Sequence, residues 1–234
     1  MEDMERYGDY NEIDVPPSRK PNIVLIILKA ITAFCILGVA GILGFRMILF
    51  NNYPAVIKDI YFNDILTEYY EATEGNIGAV TQELRAKYDD KDKGRFFCDN
   101  LIVISGVDQL QVSVRYNASN VADIAEELKL ESLDDMDPEI FEFRLYDNNG
   151  KIYENVSSVA FESQFMYRYQ KLVIDGVELE DNGGGVYPEW IRLEIFVKGQ
   201  ESAEPFSMVA IYENNEQYHY FSEYKLSESE KPAV

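Results

Sequence analysis

The chain has 234 residues, 42 of them acidic and 21 basic, for a net charge of −21. A surface this acidic repels phosphate backbones, which excludes nucleic acid as a partner. One histidine and two cysteines exclude a zinc site built on several histidines and a scaffold held by many disulfides.

Residues 1–22 are polar and contain "VPPSRKP", so a tail without a fold of its own is expected. Residues 23–50 form an apolar run that only Lys29 and Arg46 interrupt. Crossing a bilayer core takes roughly 21 helical residues, which fit inside this run. Lys29 and Arg46 then fall near its opposite ends, where long side chains reach the headgroups. A soluble helix of this length would be amphipathic, and this one is apolar all round. The residues after it, "FNNYPAVIKD", offer no small-x-small cleavage pattern. Phe34 before Cys35 argues against a lipoprotein signal, so the run reads as an uncleaved signal anchor. Arg6, Arg19 and Lys20 precede it and only Lys58 follows closely, which places the N-terminus in the cytoplasm. The lipid bilayer is therefore the first expected partner. Gly38, Gly41 and Gly44 reflect the ordinary glycine content of membrane helices. Ala40 and Gly44 also fit a small-xxx-small pattern for close helix packing, and self-association through them is the weaker reading.

Residues 51–95 read as a helical neck. Ile57, Tyr61, Ile65 and Tyr69 recur at near-helical spacing, as do Ile77, Val80, Leu84 and Tyr88. "TEGN" separates the two runs as a turn, and "DDKDKG" closes the second.

Over residues 96–228 the period changes to two. Leu110, Val112, Val114 and Tyr116 alternate with Gln109, Gln111, Ser113 and Arg115. Phe141, Phe143 and Leu145 alternate with Glu142, Arg144 and Tyr146. Phe165, Tyr167 and Tyr169 share a third face, and Ile191, Leu193, Ile195 and Val197 a fourth. Each pattern predicts a strand buried on one side. "LIVIS" at 101–105 is apolar on both faces and reads as a central strand. Asn149-Gly150 and Asn214-Asn215 mark hairpins. One helix is expected over residues 119–130, capped by Ser119 or Asn120. Residues 229–234 form a short tail. The sum is mainly β: an antiparallel sandwich, immunoglobulin-like in layer arrangement, after one transmembrane helix and a small helical neck. Cys35 and Cys98 lie on opposite sides of the membrane boundary and cannot pair, which suits a bacterial surface. The two N-x-S matches, at Asn117 and Asn155, matter only in a eukaryote.

Catalytic residue types are scarce. His219 is the only histidine, and a Ser-His-Asp or Cys-His arrangement would have to use it. Cys98 sits in "RFFCDN" among bulky apolar residues and reads as an inert structural thiol. The glycines of "DNGGGVYP" at 181–188 lack a phosphate-loop pattern. Asp134, Asp135 and Asp137, and Glu178, Glu180, Asp181 and Asn182, are oxygen ligands of the type calcium takes, but neither run matches a calcium loop. Solvated acidic loops are the expectation, with no metal and no cofactor. On the strand at 189–198, Trp190, Arg192, Glu194 and Phe196 lie opposite the aliphatic set. Either the neck helices cover this face, which is the preferred reading, or it binds a protein or glycan. The expected protein is a non-enzymatic, single-pass membrane module with its β domain outside the cell membrane. It would bind another envelope protein or a wall component. The rival is a membrane-tethered hydrolase that uses carboxylates, for example on glycans.

Overall fold

The computed structural model describes residues 22–83, 95–129, 139–177, 189–199, 204–213 and 222–232. The chain divides into two units, Met1–Met47 and Ile48–Val234. The first is occupied by helix α1 (Ile23–Asn51), which continues a few residues beyond it. Among the described helices, this is the one long and apolar enough to cross a membrane. Inside it, the Thr32 hydroxyl donates to the Leu28 carbonyl at 2.9 Å, so this polar group is satisfied within the helix. A methyl at Gly38, Gly41 or Gly44 would meet nothing within 4 Å. Among the described residues, no contact requires glycine there.

The second unit is mostly β, with two antiparallel sheets. Its strands are β1 (Val80–Glu83), β2 (Phe96–Ile104), β3 (Gln109–Asn117), β4 (Phe141–Asp147), β5 (Ile152–Tyr153), β6 (Val156–Gln164), β7 (Tyr167–Asp175), β8 (Trp190–Val197), β9 (Ser207–Glu213) and β10 (Ser222–Glu223). Six strands pair in the order β10-β1-β2-β3-β7-β6 and four in the order β5-β4-β8-β9. Alternation turns the aliphatic side chains of both sheets into one shared cluster. Leu110, Val112 and Val114 of β3 meet Leu145 of β4 and Leu193 and Ile195 of β8 within it. Val121 and Ile124 add one face of helix α4 (Ala118–Leu128). Cys98 is buried in the same cluster.

The Asn149-Gly150 hairpin forms as expected, with Gly150 at φ +79°. The Asp147 carboxylate accepts the amides of Asn149 and Lys151, both at 2.9 Å, and fixes the turn. The expected Asn214-Asn215 hairpin lies outside the described residues.

Four local expectations are corrected. Helix α3 (Asp64–Ala72) forms, capped by Asn63, whose side chain accepts the Leu66 amide at 2.9 Å. The second helical run does not. Val80–Glu83 is a strand on the edge of β2, preceded by Gly78 at φ +61°, which stops a right-handed helix. An open sheet edge offers this segment more hydrogen bonds than a short isolated helix would. Leu84 and Tyr88 lie outside the described residues. Second, α4 is capped by Asn117, which accepts from the Ser119 amide at 3.1 Å, and not by Ser119 or Asn120. The cap moves back because β3 ends at Asn117 and the chain turns directly into the helix. Third, Phe165 is not a strand residue. It sits in the two-residue turn between β6 and β7, at φ +53°.

The fourth correction concerns β3, whose polar alternate residues are not solvent-facing. Gln109, Gln111, Ser113 and Arg115 are all buried, as is Lys171 of β7, which lies opposite Ser113 on the same face. Residues 49–77 and the segment 224–230 cover this side of the six-stranded sheet. The neck comprises α2 (Ala55–Lys58), α3 and the irregular backbone between them. Ile57, Ile60 and Leu66 supply the apolar side chains that anchor it.

Candidate functional site

Two faces carry the unusual chemistry. The first is the outer side of the four-stranded sheet. Strand register aligns Glu142 with Phe196, Arg144 with Glu194 and Tyr146 with Arg192. The Arg144 guanidinium grips one Glu194 carboxylate oxygen, from Nε at 2.8 Å and from an Nη at 2.6 Å. It also lies 4.6 Å from the centre of the Phe196 ring. Arg192 lies 4.7 Å from the Trp190 ring, which meets Tyr146 edge-on at 5.3 Å. Met208 of β9 accepts from the Tyr146 hydroxyl at 3.1 Å. The four residues expected from sequence, Trp190, Arg192, Glu194 and Phe196, are therefore brought together, and Arg144 and Tyr146 join them.

The neck helices do not lie on this face, contrary to the preferred sequence reading. Helix α2 packs on β6 and β7, and α3 packs at the 105–107 turn. The reason is chemical fit. The neck backbone is irregular and needs polar partners, which Gln111, Ser113 and Arg115 of β3 supply, whereas Glu194 and Arg192 of β8 are engaged with Arg144 and Trp190. Trp190, Arg192 and Phe196 remain partly exposed, while Glu194 is nearly buried by its arginine partner.

The second face is the one beneath the neck, and sequence reasoning missed it. The Arg115 guanidinium donates to the Phe50 carbonyl. Its centre lies 3.4 Å from the Phe50 ring, 4.7 Å from Phe97 and 5.2 Å from Tyr53. The Tyr169 hydroxyl donates to the Leu49 carbonyl at 2.8 Å, and Ser113 to the Ile57 carbonyl at 2.7 Å. Gln111 clamps Tyr61 from both sides, donating to its carbonyl at 2.7 Å and accepting from its amide at 2.8 Å. Each bond runs from a sheet side chain to the backbone of the neck or of the last turn of α1. Burial pushes the Tyr53 and Tyr169 hydroxyls above the ordinary tyrosine range, against the lowering pull of Arg115.

Lys171 lies on the same face. It is fully buried, and its Nζ has no hydrogen-bond partner among the described residues. Burial lowers its ammonium to about 8, against the opposing pull of Asp59 and Glu230. The two carboxyls diverge. Burial and the neighbouring Glu230 raise Asp59, whereas Glu230 is lowered overall by hydrogen bonds from Tyr224, Ser227 and Ile60 that outweigh its burial. A signal for this face was present in the sequence. Ile57, Ile60 and Leu66 had to bury somewhere, and a strand with polar alternate residues was one of two surfaces they could cover.

Ala40 and Gly44 lie on α1. Among the described residues no three His, Cys, Asp or Glu side chains come together as metal ligands. His219, the acidic runs at 134–137 and 178–182, and the glycine run at 183–185 lie outside the described residues. No protein-family model, curated protein or solved structure matches the chain.

Proposed function

We propose that the chain is a non-catalytic, single-pass membrane-anchored binding module. Residues 1–22 lie in the cytoplasm, residues 23–50 cross the cell membrane, and the β domain stands outside. The excess of Arg6, Arg19 and Lys20 over Lys58 supports this orientation. The two sheets are the layers of an antiparallel sandwich, immunoglobulin-like in arrangement, a reading supported by the aliphatic cluster they share. The partner is another envelope protein, docked on the outer face of β4 and β8.

One observation carries the docking assignment. Trp190, Tyr146, Arg144, Arg192 and Phe196 form a continuous set of aromatic and arginine side chains, held in place by mutual contacts and still partly open to solvent. Pre-ordered aromatics and arginines are the residue types that dominate protein interfaces, because little side-chain freedom is lost on binding. The carboxylate hydrolase is the weaker reading. Glu230, one of two described carboxyls with displaced titration, has both oxygens occupied by Tyr224, Ser227 and Ile60.

The test is photo-crosslinking of the full chain in its native membrane. A Phe196→benzoylphenylalanine variant should give one discrete protein adduct. The same probe replacing exposed Glu71 on α3 should give none. Adducts absent at position 196, or equal at both positions, would overturn the assignment. A wall glycan in the adduct would move the partner to the wall.

A further inference from the structure

We infer that the β6–β7 hairpin tip, Phe165 and Met166, rests in the lipid interface of the membrane that α1 crosses. The inference depends on that membrane reading of α1. The tip gives the domain a second, non-covalent hold on the bilayer.

Turn chemistry gives the first reason. A two-residue hairpin turn favours Asn or Gly, because such turns need positive φ. Here Phe165 takes φ +53° and is 65% exposed. A bulky aromatic in the left-handed region strains the turn, and most of this one faces solvent instead of the core. The turn is nonetheless well fixed. Gln164 pairs with Tyr167 across it, and the Met166 carbonyl accepts the Ala118 amide at 2.8 Å.

Position gives the second. Met166 packs in one cluster with Leu49, Phe50 and Tyr53. Phe50 is the last residue of the apolar run, and Asn51 and Asn52 follow it. The chain therefore leaves the hydrocarbon at about this point. The tip lies within a side chain's length of that exit. Phe50, Phe97 and Tyr167 gather at the same end, with ring centres 5.1–6.0 Å from Phe50. Aromatic rings concentrate at the headgroup level because they are apolar with a polar edge or hydroxyl.

Charge gives the third. The chain carries 42 acids, yet residues 163–174 contain none and hold Arg168 and Lys171. Carboxylates pay a heavy desolvation cost near headgroups, and the two ladder pairs next to the tip, Gln164–Tyr167 and Ser163–Arg168, carry none, with Glu162 entering only at the third. An acidic domain free in solution would not seek a bilayer. This one is tied to it by a few residues, so the local lipid concentration is very high and a small apolar contact suffices.

The test uses the full chain in phosphatidylcholine liposomes, in a Trp190→Phe background that removes the only native tryptophan. Three single probes are read by quenching with dibrominated lipid: Phe165→Trp, Leu37→Trp within α1, and Ile152→Trp. Ile152 is exposed and precedes β6 in the chain, whose far end at Val156 is roughly 26 Å from the tip by strand rise. The expected result is strong quenching at 37, clear quenching and a blue shift at 165, and neither at 152. Quenching at 37 without quenching at 165 overturns the inference and leaves the anchor standing. A blue shift at 165 without lipid quenching means a protein covers the tip, and also overturns it. Equal quenching at 165 and 152 means the domain lies flat, which overturns a tip contact. No quenching at 37 removes the anchor itself, and the inference with it. The Ala118–Met166 bond uses backbone only, so the 165 probe is expected to fold, and near-native circular dichroism checks this.

Discussion

Replacing Lys171 with methionine tests the electrostatics of the covered face. The lysine stem packs between Ser113 of β3 and Ala160 of β6, and its ammonium has no hydrogen-bond partner among the described residues. Folding lowers its titration from 10.5 to about 8. Between those values the unfolded chain holds a proton that the native chain has lost, so stability rises with pH across the window. Below about pH 8 both states are protonated and the full penalty applies. A shift of that size is worth about 3 kcal/mol at 1.36 kcal/mol per pH unit, of which about 2 kcal/mol is recovered between pH 7 and pH 9.5. Above about pH 10 the sign reverses. Tyr53, Tyr169 and Tyr224 are raised in the native state and keep protons that the unfolded chain loses. Urea unfolding of residues 48–234, followed by Trp190 emission, measures this. The native sequence should gain about 2 kcal/mol from pH 7 to pH 9.5. Lys171→Met keeps the stem's volume and removes the charge. It should be more stable than the native sequence at pH 7, by about 1–3 kcal/mol, and its gain with pH should largely vanish. Loss of attraction to Asp59 and Glu230 sets the lower end of that range. A native sequence whose stability is flat or falling over this interval would refute the reasoning. So would a methionine variant that keeps the rise.

Arg115→Ala should cost the domain about 3 kcal/mol, because it strips a charge-assisted bond from the Phe50 carbonyl and a cation from four rings; thermal unfolding of residues 48–234 reads it. Gly106→Ala should cost about 1–2 kcal/mol, because a methyl there collides with the Tyr69 ring; the loss should disappear when Tyr69→Ala is added, as a double-mutant cycle would show. Gly44→Leu should leave the full chain's association state in detergent unchanged if the glycines only reflect the ordinary content of membrane helices; a large shift in sedimentation would instead point to helix pairing through Ala40 and Gly44.

The sequence was most legible where one period ruled a long segment. The apolar run of α1 spans nearly every residue expected of it. In β8 a strict alternation placed Ile191, Leu193, Ile195 and Val197 inward and Trp190, Arg192 and Phe196 outward. It failed where local and tertiary demands diverged. Ile77, Val80, Leu84 and Tyr88 have helical spacing, but four side chains do not outweigh a free sheet edge with backbone groups to fill. Phe165 continued an alternation by count alone, and the turn fell there. The partners Arg144 and Tyr146 were visible only as the outer half of another strand, because register between β4 and β8 is not written in either strand alone.

The largest misreading, the polar side of β3, has a single physical cause. Alternation separates apolar from polar residues, and the usual inference equates polar with exposed. That holds only if nothing with unmet hydrogen bonds needs covering. Residues 52–54 and 59–63 have no regular structure; the Asn52 and Asp59 amides and the Pro54 and Asn63 carbonyls are met locally, but others, the Tyr61 amide and carbonyl among them, are not. Buried against an aliphatic sheet, they would be left unsatisfied at a cost of about 1–3 kcal/mol each. Against β3 the groups nearest the sheet are met by side chains, at Ile57 by Ser113, at Tyr61 by Gln111 and at Phe50 by Arg115. The neck therefore needs a polar strand beneath it, and the strand needs the neck to bury it. The arrangement also fixes direction. Arg115, Ser113 and Gln111 descend along β3 as Phe50, Ile57 and Tyr61 ascend in sequence, so the neck runs antiparallel to the strand with its start beside Arg115. The end of the sheet that holds Arg115 is thereby the end at which the chain enters the domain.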